Sequence, residues 1–289
     1  MKKLVSLDKI VVHPGKSHTD EILAVMLAEA STHDGNIVPV YRRNPTEDDL
    51  QDNRTLVMDI GGRIDNWSMV FDHHQLPRDA EPTCAFSLIA KEIEVAEDLE
   101  AFYSWYDTWR KIDSKGPFQW AKDVGAEWGS AAGLLSPVSD LVHDWFEEAE
   151  GDVPVDEVLI KRLQIQGRKI IAAADEFRAF REKADSMGIP ADVAGVLVFD
   201  FREFPAKDSQ KFGGPYTKLK GVVGGVIVSQ DDRGPGYAYL RINDDPTIDF
   251  SQCASKPYCE FAHANGFILK TKDRSVTNVE VIVDAKKKA

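Results

Sequence analysis

Four short apolar runs fall in the first quarter of the chain, at 9–12, 37–41, 55–58 and 68–71. They are short and bounded by turn residues, and their continuous rather than alternating apolar character is that of strands buried in a parallel sheet. Pro39 puts the second run toward the sheet edge, because proline cannot donate to a ladder. Three of the four endings carry side chains that can hold a metal. The first run delivers His13, and after the turn Pro14-Gly15-Lys16-Ser17 come His18 and Asp20. The third stops at Asp59-Ile60-Gly61-Gly62, and the fourth at Asp72-His73-His74-Gln75. Open α/β sheets keep their ligands beyond the carboxyl ends of the strands, so these side chains are expected to meet at one edge.

Helical spacing accounts for most of the remaining pattern. Thr19 is suited to cap a helix through Ala28, with Asp20 and Glu21 in its first turn. Residues 63–67 make a polar turn, and 84–93 and 99–109 read as two helices. The aromatic face of the second is expected in the core. Its extension stops at Gly116-Pro117, leaving Asp113 near a helix end where it can turn inward, with Asp107 as the competing acid. The segment 118–150 carries Trp120, Trp128 and Trp145 in loop and helix, with no chemistry evident. A long helix covers 155–187, and Gly188-Ile189-Pro190 ends it. Beyond it the pattern changes to apolar runs at 193–199, 222–228 and 237–242, the last two joined by a hairpin turn at 231–236. The expected fold is α/β: a doubly wound parallel-sheet domain over 1–150, a linking helix over 151–189, and a smaller mixed α/β domain over 190–289, with a cleft between the domains.

Composition narrows the function. A chain of 289 residues, 43% hydrophobic and 29% charged, has the balance of a globular protein with room for two cores. Its net charge of −13 and pI near 5.0 argue against a partner that must be gripped along many phosphates, such as long duplex DNA. Short phosphorylated substrates stay open, since divalent cations in a carboxylate-lined site reverse the local potential. Cys84, Cys253 and Cys259 are odd in number and widely spaced, suggesting neither a disulfide framework nor a thiolate zinc site. The first residues carry no long apolar segment, so a cytoplasmic protein without a membrane anchor is expected.

The candidates collected along the chain are His13, His18, Asp20, Asp59, His73 and Asp113, with His74 beside them. Imidazole and carboxylate without thiolate suit Mn²⁺, Zn²⁺, Fe²⁺ or Mg²⁺. Six ligands exceed what one catalytic ion with open positions uses. They suit a pair of ions about 3.5–4 Å apart, the arrangement that clamps both oxygens of a phosphoryl displacement.

His13-x4-His18-x-Asp20-Glu21, Asp59-x-Gly61-Gly62 and Asp72-His73-His74-Gln75 together resemble the DHH phosphoesterase superfamily, and within it the Myg (melanocyte proliferating gene product) exonuclease branch. The branch likeness rests on His18, Gln75 and the late segment Phe261-Ala262-His263-Ala264-Asn265-Gly266-Phe267. The resemblance implies a metal-dependent hydrolase with two divalent ions, Mn²⁺ first and Mg²⁺, Fe²⁺ or Zn²⁺ as alternatives. One ion would be held by His13, His18 and Asp59, the other by Asp20, Asp59, His73 and Asp113. Asp72 would orient His73 or its neighbour, and His74 would meet the scissile phosphate. The second domain would grip the substrate through His263, Asn265 and Gly266, with Lys218 as one candidate phosphate clamp and Lys211, Lys220, Lys270 and Lys272 as others. The implied activity is 3′ to 5′ hydrolysis of short single-stranded RNA or small nucleotides. The alternatives are a pyrophosphatase or nucleotide phosphatase, or a quiet nucleotide-binding module. Homo-oligomerisation is compatible with the sequence.

Overall fold

The computed structural model describes residues 2, 4, 6–32, 35–77, 79–127 and 137–287; Trp128 lies outside them. The chain divides into two compact units, Met1–Asp175 and Glu176–Ala289.

The first unit is built on a five-stranded sheet. Its strands are β1 (Lys9–Val12), β2 (Val40–Arg42), β3 (Thr55–Met58), β4 (Ile64–Asp65) and β5 (Val70–Phe71), in the order β2-β1-β3-β5-β4. All neighbours are parallel except β4, which pairs antiparallel with β5. β2 is the edge strand that Pro39 implied, but it starts three residues later than the apolar run does. The Val38 N–H is taken by the Glu29 carboxyl at 3.1 Å, and Pro39 has no N–H, so the ladder opens at Val40. The fourth run also loses its first two residues. Ser68 hydrogen-bonds Asp65 and Met69 takes a φ of +54°, while residues 64–65, read as a turn, form the short antiparallel edge.

Side chains alternate across this sheet. Ile10, Val12, Leu56, Met58 and Phe71 face a core shared with α1 (Thr19–Ser31), α3 (Ala85–Glu92) and α4 (Ala96–Phe102). Val11, Val57 and Val70 face the other way, toward Leu50 of the short α2 (Glu47–Gln51) and Ile60. Both faces are covered, and the two layers are unequal in size.

Every residue of α1 is buried, acids included. Its cap differs from expectation: His18 is the N-cap, its N–H donated to Glu21 Oε1 at 2.9 Å, and Thr19 is the first helical residue. The aromatic helix is two helices, α4 and α5 (Ser104–Lys115), broken at an extended Tyr103. The break lets Trp105 and Tyr106 approach the Phe86 ring edge-on at 6.0 and 5.1 Å. Gly116, with φ +80°, ends α5, and Pro117 opens α6 (Pro117–Asp123).

After α7 (Asp140–Glu147) comes α8 (Glu157–Ser186), which contributes to both units. Leu159, Ile160, Leu163, Ile171 and Ala174 join the first core, and a β-carbon on Gly167 would lie 1.9 Å from the Met26 carbonyl oxygen, so only glycine allows this approach to α1. Phe177 and Phe180 are buried in an aromatic cluster of the second unit, the latter 5.0 Å from Phe201 and 4.5 Å from Phe204 between ring centroids.

In the second unit β6 (Ala191–Val193), β7 (Val196–Asp200), β8 (Val226–Gln230), β9 (Tyr237–Arg241), β10 (Cys259–Ala262) and β11 (Ile268–Thr271) form one sheet, ordered β10-β11-β9-β8-β7-β6. Only β7 and β8 are parallel, as the crossover through α9 (Ala206–Leu219) requires. The run at 193–199 proves to be a hairpin turning at Ala194-Gly195. The helix α10 (Asn278–Ala285) buries Val281, Ile282 and Ala285 against Val196, Val198, Val226 and Val228. Among the described residues, no helix is long and apolar enough to cross a membrane.

Candidate metal centre

The site grows from the carboxyl ends of β1, β3 and β5. His13 follows β1, with its Nδ1 buried and without a partner and its ring stacked on His18 at 5.5 Å. Burial, then the neighbouring His18, His74 and Arg42, lower its pKa against the pull of Asp59. Asp59 follows β3 with a φ of +62° and is 1% exposed. A left-handed non-glycine backbone is strained, and such residues cluster where geometry serves function. The bend swings its carboxylate over the strand ends, 4.0 Å from His18 Nδ1 and 3.1 Å from His73 Nε2.

Two glycines complete that turn for different reasons. Gly61 has φ +112°, and a β-carbon there would lie 2.9 Å from Val70 Cγ1. Gly62 donates its N–H to Asp72 Oδ2 at 2.7 Å. Asp72 Oδ1 also accepts the His74 N–H at 3.0 Å and lies 2.8 Å from His74 Nδ1. Burial alone would raise the Asp72 pKa, but these bonds win and hold it at about 2. The hydrogen bond to Asp72 in turn raises the His74 pKa. Asp72 thus addresses His74; the sequence had left His73 and its neighbour open.

His73 lies among three acids: its Nε2 is 3.0 Å from Asp113 Oδ2, 3.1 Å from Asp59 Oδ1 and 3.9 Å from Asp20 Oδ2. Burial opposes its charge, yet Asp113 and Asp59 outweigh burial and push its pKa to about 10. One N–H can satisfy one of these acids; Asp59 Oδ1 accepts it, leaving Asp113 Oδ2 without a hydrogen bond. Asp113 reaches the cluster from the last turns of α5, whereas Asp107 pairs with Arg110 at 2.8 Å and Lys111 at 2.6 Å. Asp20 Oδ2 accepts the Ala85 N–H at 3.2 Å, at the amino end of α3. Burial, then the charges of Asp113 and Asp59, drive its pKa well above the carboxylate range.

Three sets of ligand atoms each converge within 4.8 Å: His18, Asp20 and Asp59; Asp59, His73 and His74; and Asp20, His73 and Asp113. His13 stands outside these sets, and His74, read as catalytic and not as a ligand, stands inside one. Among the described residues, four of the buried side-chain atoms left without a hydrogen bond belong here: His13 Nδ1, Asp20 Oδ1, Asp59 Oδ2 and Asp113 Oδ2. Buried acceptors are costly unless something donates to them, and clustered carboxylates repel. A divalent cation answers both, so the residues present fit such ions.

A further layer lies behind this cluster, and sequence reading missed it. Arg42, at the end of β2 and fully buried, donates to the Gly15 carbonyl at 2.6 Å and lies 3.6 Å from Glu21 Oε1. Burial pushes the Glu21 pKa up to about 8, against the His18 N–H and Arg42. From α7, His143 Nδ1 is 2.7 Å from Ser17 Oγ and its Nε2 3.3 Å from Thr19 Oγ1. Glu147 Oε1 accepts from the Ser17 N–H at 2.7 Å and the Ser17 hydroxyl at 2.9 Å. The i, i+4 spacing of His143 and Glu147 was the available signal, as it puts both on one helix face.

In the second unit His263, Asn265 and Gly266 form the turn between β10 and β11. The Asn265 N–H reaches His263 Nδ1 at 3.1 Å, and the imidazole lies 4.2 Å from the Phe267 ring centroid. Gly266 is structural, since with φ +66° a β-carbon would meet Asp249 Oδ1 at 2.1 Å. Lys218 lies exposed on α9. Lys211, Lys220 and Lys270 pair with Glu176, Asp185 and Asp231, and Lys272 donates to the Pro257 carbonyl.

Fold and site together define a protein with a carboxylate and imidazole metal-binding edge on a parallel sheet. Residues 9–83 match the model of the MYG1 exonuclease family, described as an uncharacterised protein family (UPF0160), in line with the resemblance read from the motifs. No curated protein matches. Among solved structures, a pGpG-specific phosphodiesterase, PggH from Vibrio cholerae, is similar at 13% identity and TM-score 0.27, covering 91% of this chain and 93% of that one. RecJ from Thermus thermophilus with Mg²⁺ shows 13% identity and TM-score 0.30 over 96% of this chain, which spans about half (49%) of RecJ. An exopolyphosphatase-related protein from Bacteroides fragilis shows 12% identity and TM-score 0.25, covering 96% and 90%.

Proposed function

We propose that the protein is a two-metal phosphoesterase, a metal-dependent hydrolase acting on phosphodiester bonds of short single-stranded RNA or small nucleotides from the 3′ end. The observation that carries this reading is that Asp20, Asp59 and Asp113, which belong to the converging sets, each keep a buried carboxylate oxygen without a hydrogen bond, with the partnerless His13 Nδ1 nearby. His13, His18 and Asp59 would hold one ion and Asp20, Asp59, His73 and Asp113 the other, with Asp59 shared. Divalent ions there, Mn²⁺ foremost, supply Lewis acidity that activates water and screens phosphate charge.

The chain's own groups supply the rest. Asp72 fixes the His74 ring by accepting its Nδ1–H and favours the imidazolium. His74, 53% exposed at the side chain with Nδ1 engaged by Asp72, would use its Nε2–H to donate to a phosphate oxygen and protonate the departing one. Asp20 is aimed by the α3 amide and Asp59 by its own bent backbone. His263, Asn265, Gly266 and Lys218 of the second unit are proposed to hold the substrate.

The test is hydrolysis of bis-p-nitrophenyl phosphate, short oligoribonucleotides, pyrophosphate and mononucleotides, with Mn²⁺ and with chelator, alongside metal analysis. Two ions per chain and Mn²⁺-dependent release of mononucleotides from 3′ ends are expected. One ion or none overturns the two-metal reading, and turnover of pyrophosphate alone overturns the nuclease reading.

A further inference from the structure

The loop between β1 and α1 has to present His13 and His18, and the His18 ring is stacked on that of His13 at 5.5 Å. The His18 side chain is 45% exposed, and its Nδ1 is 4.0 Å from Asp59, beyond hydrogen-bond range. The residues on either side of it are held firmly. Ser17 and Thr19 are 4% and 8% exposed, and both meet His143 of α7. The proton order follows from the donors available. Glu147 as a carboxylate can only accept, so the Ser17 hydroxyl proton goes to Glu147 Oε1. Ser17 Oγ must then accept from His143 Nδ1–H, and the Thr19 hydroxyl is left to donate to His143 Nε2. The Ser17 N–H adds a second bond to Glu147. The chain Thr19, His143, Ser17, Glu147 is therefore a run of matched donors and acceptors that straddles His18, while Glu21 takes the N–H of His18 itself.

We propose that His143 and Glu147 are positioning residues for the ion held through His18. They fix the backbone on both sides of a ligand whose ring otherwise leans on His13, and so help to set the direction of its imidazole toward Asp59. Neither residue touches the cluster, and α7 contributes no ligand to it. The inference rests on the reading of His18 as a metal ligand. Partners that orient a ligand from outside the coordination shell typically contribute about 10–100-fold in metal affinity.

The test is stepwise Mn²⁺ titration by calorimetry and Co²⁺ visible absorption on wild type, His143→Ala, His143→Asn, Glu147→Ala and Glu147→Gln, with metal-free melting temperatures. We expect His143→Ala and Glu147→Ala to weaken one of the two ions about 10–100-fold, to leave the other within about threefold, and to alter the Co²⁺ bands of the weakened ion. His143→Asn, whose amide N–H falls near the position of Nδ1–H, should recover most of the loss. Glu147→Gln keeps an Oε1 acceptor for both Ser17 bonds and should stay within about threefold of wild type, whereas Glu147→Ala stands in if His143→Ala does not fold. Wild type binding no ion would overturn the metal reading and this inference with it. Wild type binding two ions, with unchanged affinities and spectra in the alanine variants, would overturn the positioning role alone. A lower melting temperature with unchanged titration would do the same.

Discussion

Glu29 tests the first core through its pH dependence. The carboxyl is fully buried on α1, Oε1 accepting the Val38 N–H at 3.1 Å and Oε2 lying 3.5 Å from Gln164 Nε2. Burial outweighs these bonds and raises its pKa to about 8, whereas in an unfolded chain a glutamate titrates near about 4.3. Between those values the native state keeps a proton that the unfolded state has released. The stabilisation is complete below the unfolded pKa and is lost as pH rises through the folded one, by up to about 1.4 kcal/mol per pH unit. From pH 5 to pH 8 this amounts to on the order of 4 kcal/mol. Glu29→Gln keeps the shape and neutrality of the protonated acid, so the two proteins should differ by less than about 1 kcal/mol at pH 5. At pH 8.5 the variant should be the more stable by on the order of 3–4 kcal/mol. Urea unfolding followed by circular dichroism from pH 5 to pH 9 in chelator measures both curves, and their difference removes shared titrations such as that of Glu21. A difference independent of pH, or one that grows toward acid, would refute the burial argument.

Three further outcomes are expected. Asp59→Asn should reduce metal content to one ion or none and turnover by more than about 10³-fold, with the circular dichroism spectrum retained because asparagine tolerates positive φ; wild-type rates would show that Asp59 is not shared. Gly61→Ala, which strains a φ of +112° and crowds Val70, should cost about 2–4 kcal/mol in urea unfolding, and an unchanged midpoint would contradict the close packing. His263→Ala should leave both ions bound and the melting temperature within a few degrees while kcat/KM falls about tenfold; normal kinetics with a lowered melting temperature would assign His263 to packing.

Much of the first unit's sheet was legible because parallel strands buried on both faces need unbroken apolar runs, and their ends mark the site. The errors share a physical origin in competition for backbone groups. Glu29 captures the Val38 amide and shortens β2, and Asp65 captures Ser68 and shortens β5. The cap falls on His18, whose N–H is taken by Glu21, and the Thr19 hydroxyl lies 3.3 Å from His143 Nε2, far along the chain. The choice between Asp107 and Asp113 was a question of helix phase. Six residues at about 100° each put the two acids on different faces, and Arg110 and Lys111, three and four residues on, mark the face of Asp107. The four-residue spacing of His143 and Glu147 marked a shared helix face, but only tertiary packing shows that they meet Ser17 and Thr19.

The converging candidate ligands are gathered from His18, Asp20, Asp59, His73, His74 and Asp113, and the last of these arrives on a helix of its own. A nascent or clipped chain ending near residue 83 would carry the whole matched motif region yet lack the Asp113 carboxylate. Such a chain has the vocabulary of the site without its closing word. Metal uptake then becomes a census of finished molecules. On the proposed two-metal reading, only a chain that has brought α5 back over the strand ends would retain its ions, and withdrawing them should loosen the whole first unit toward protease instead of freeing one loop.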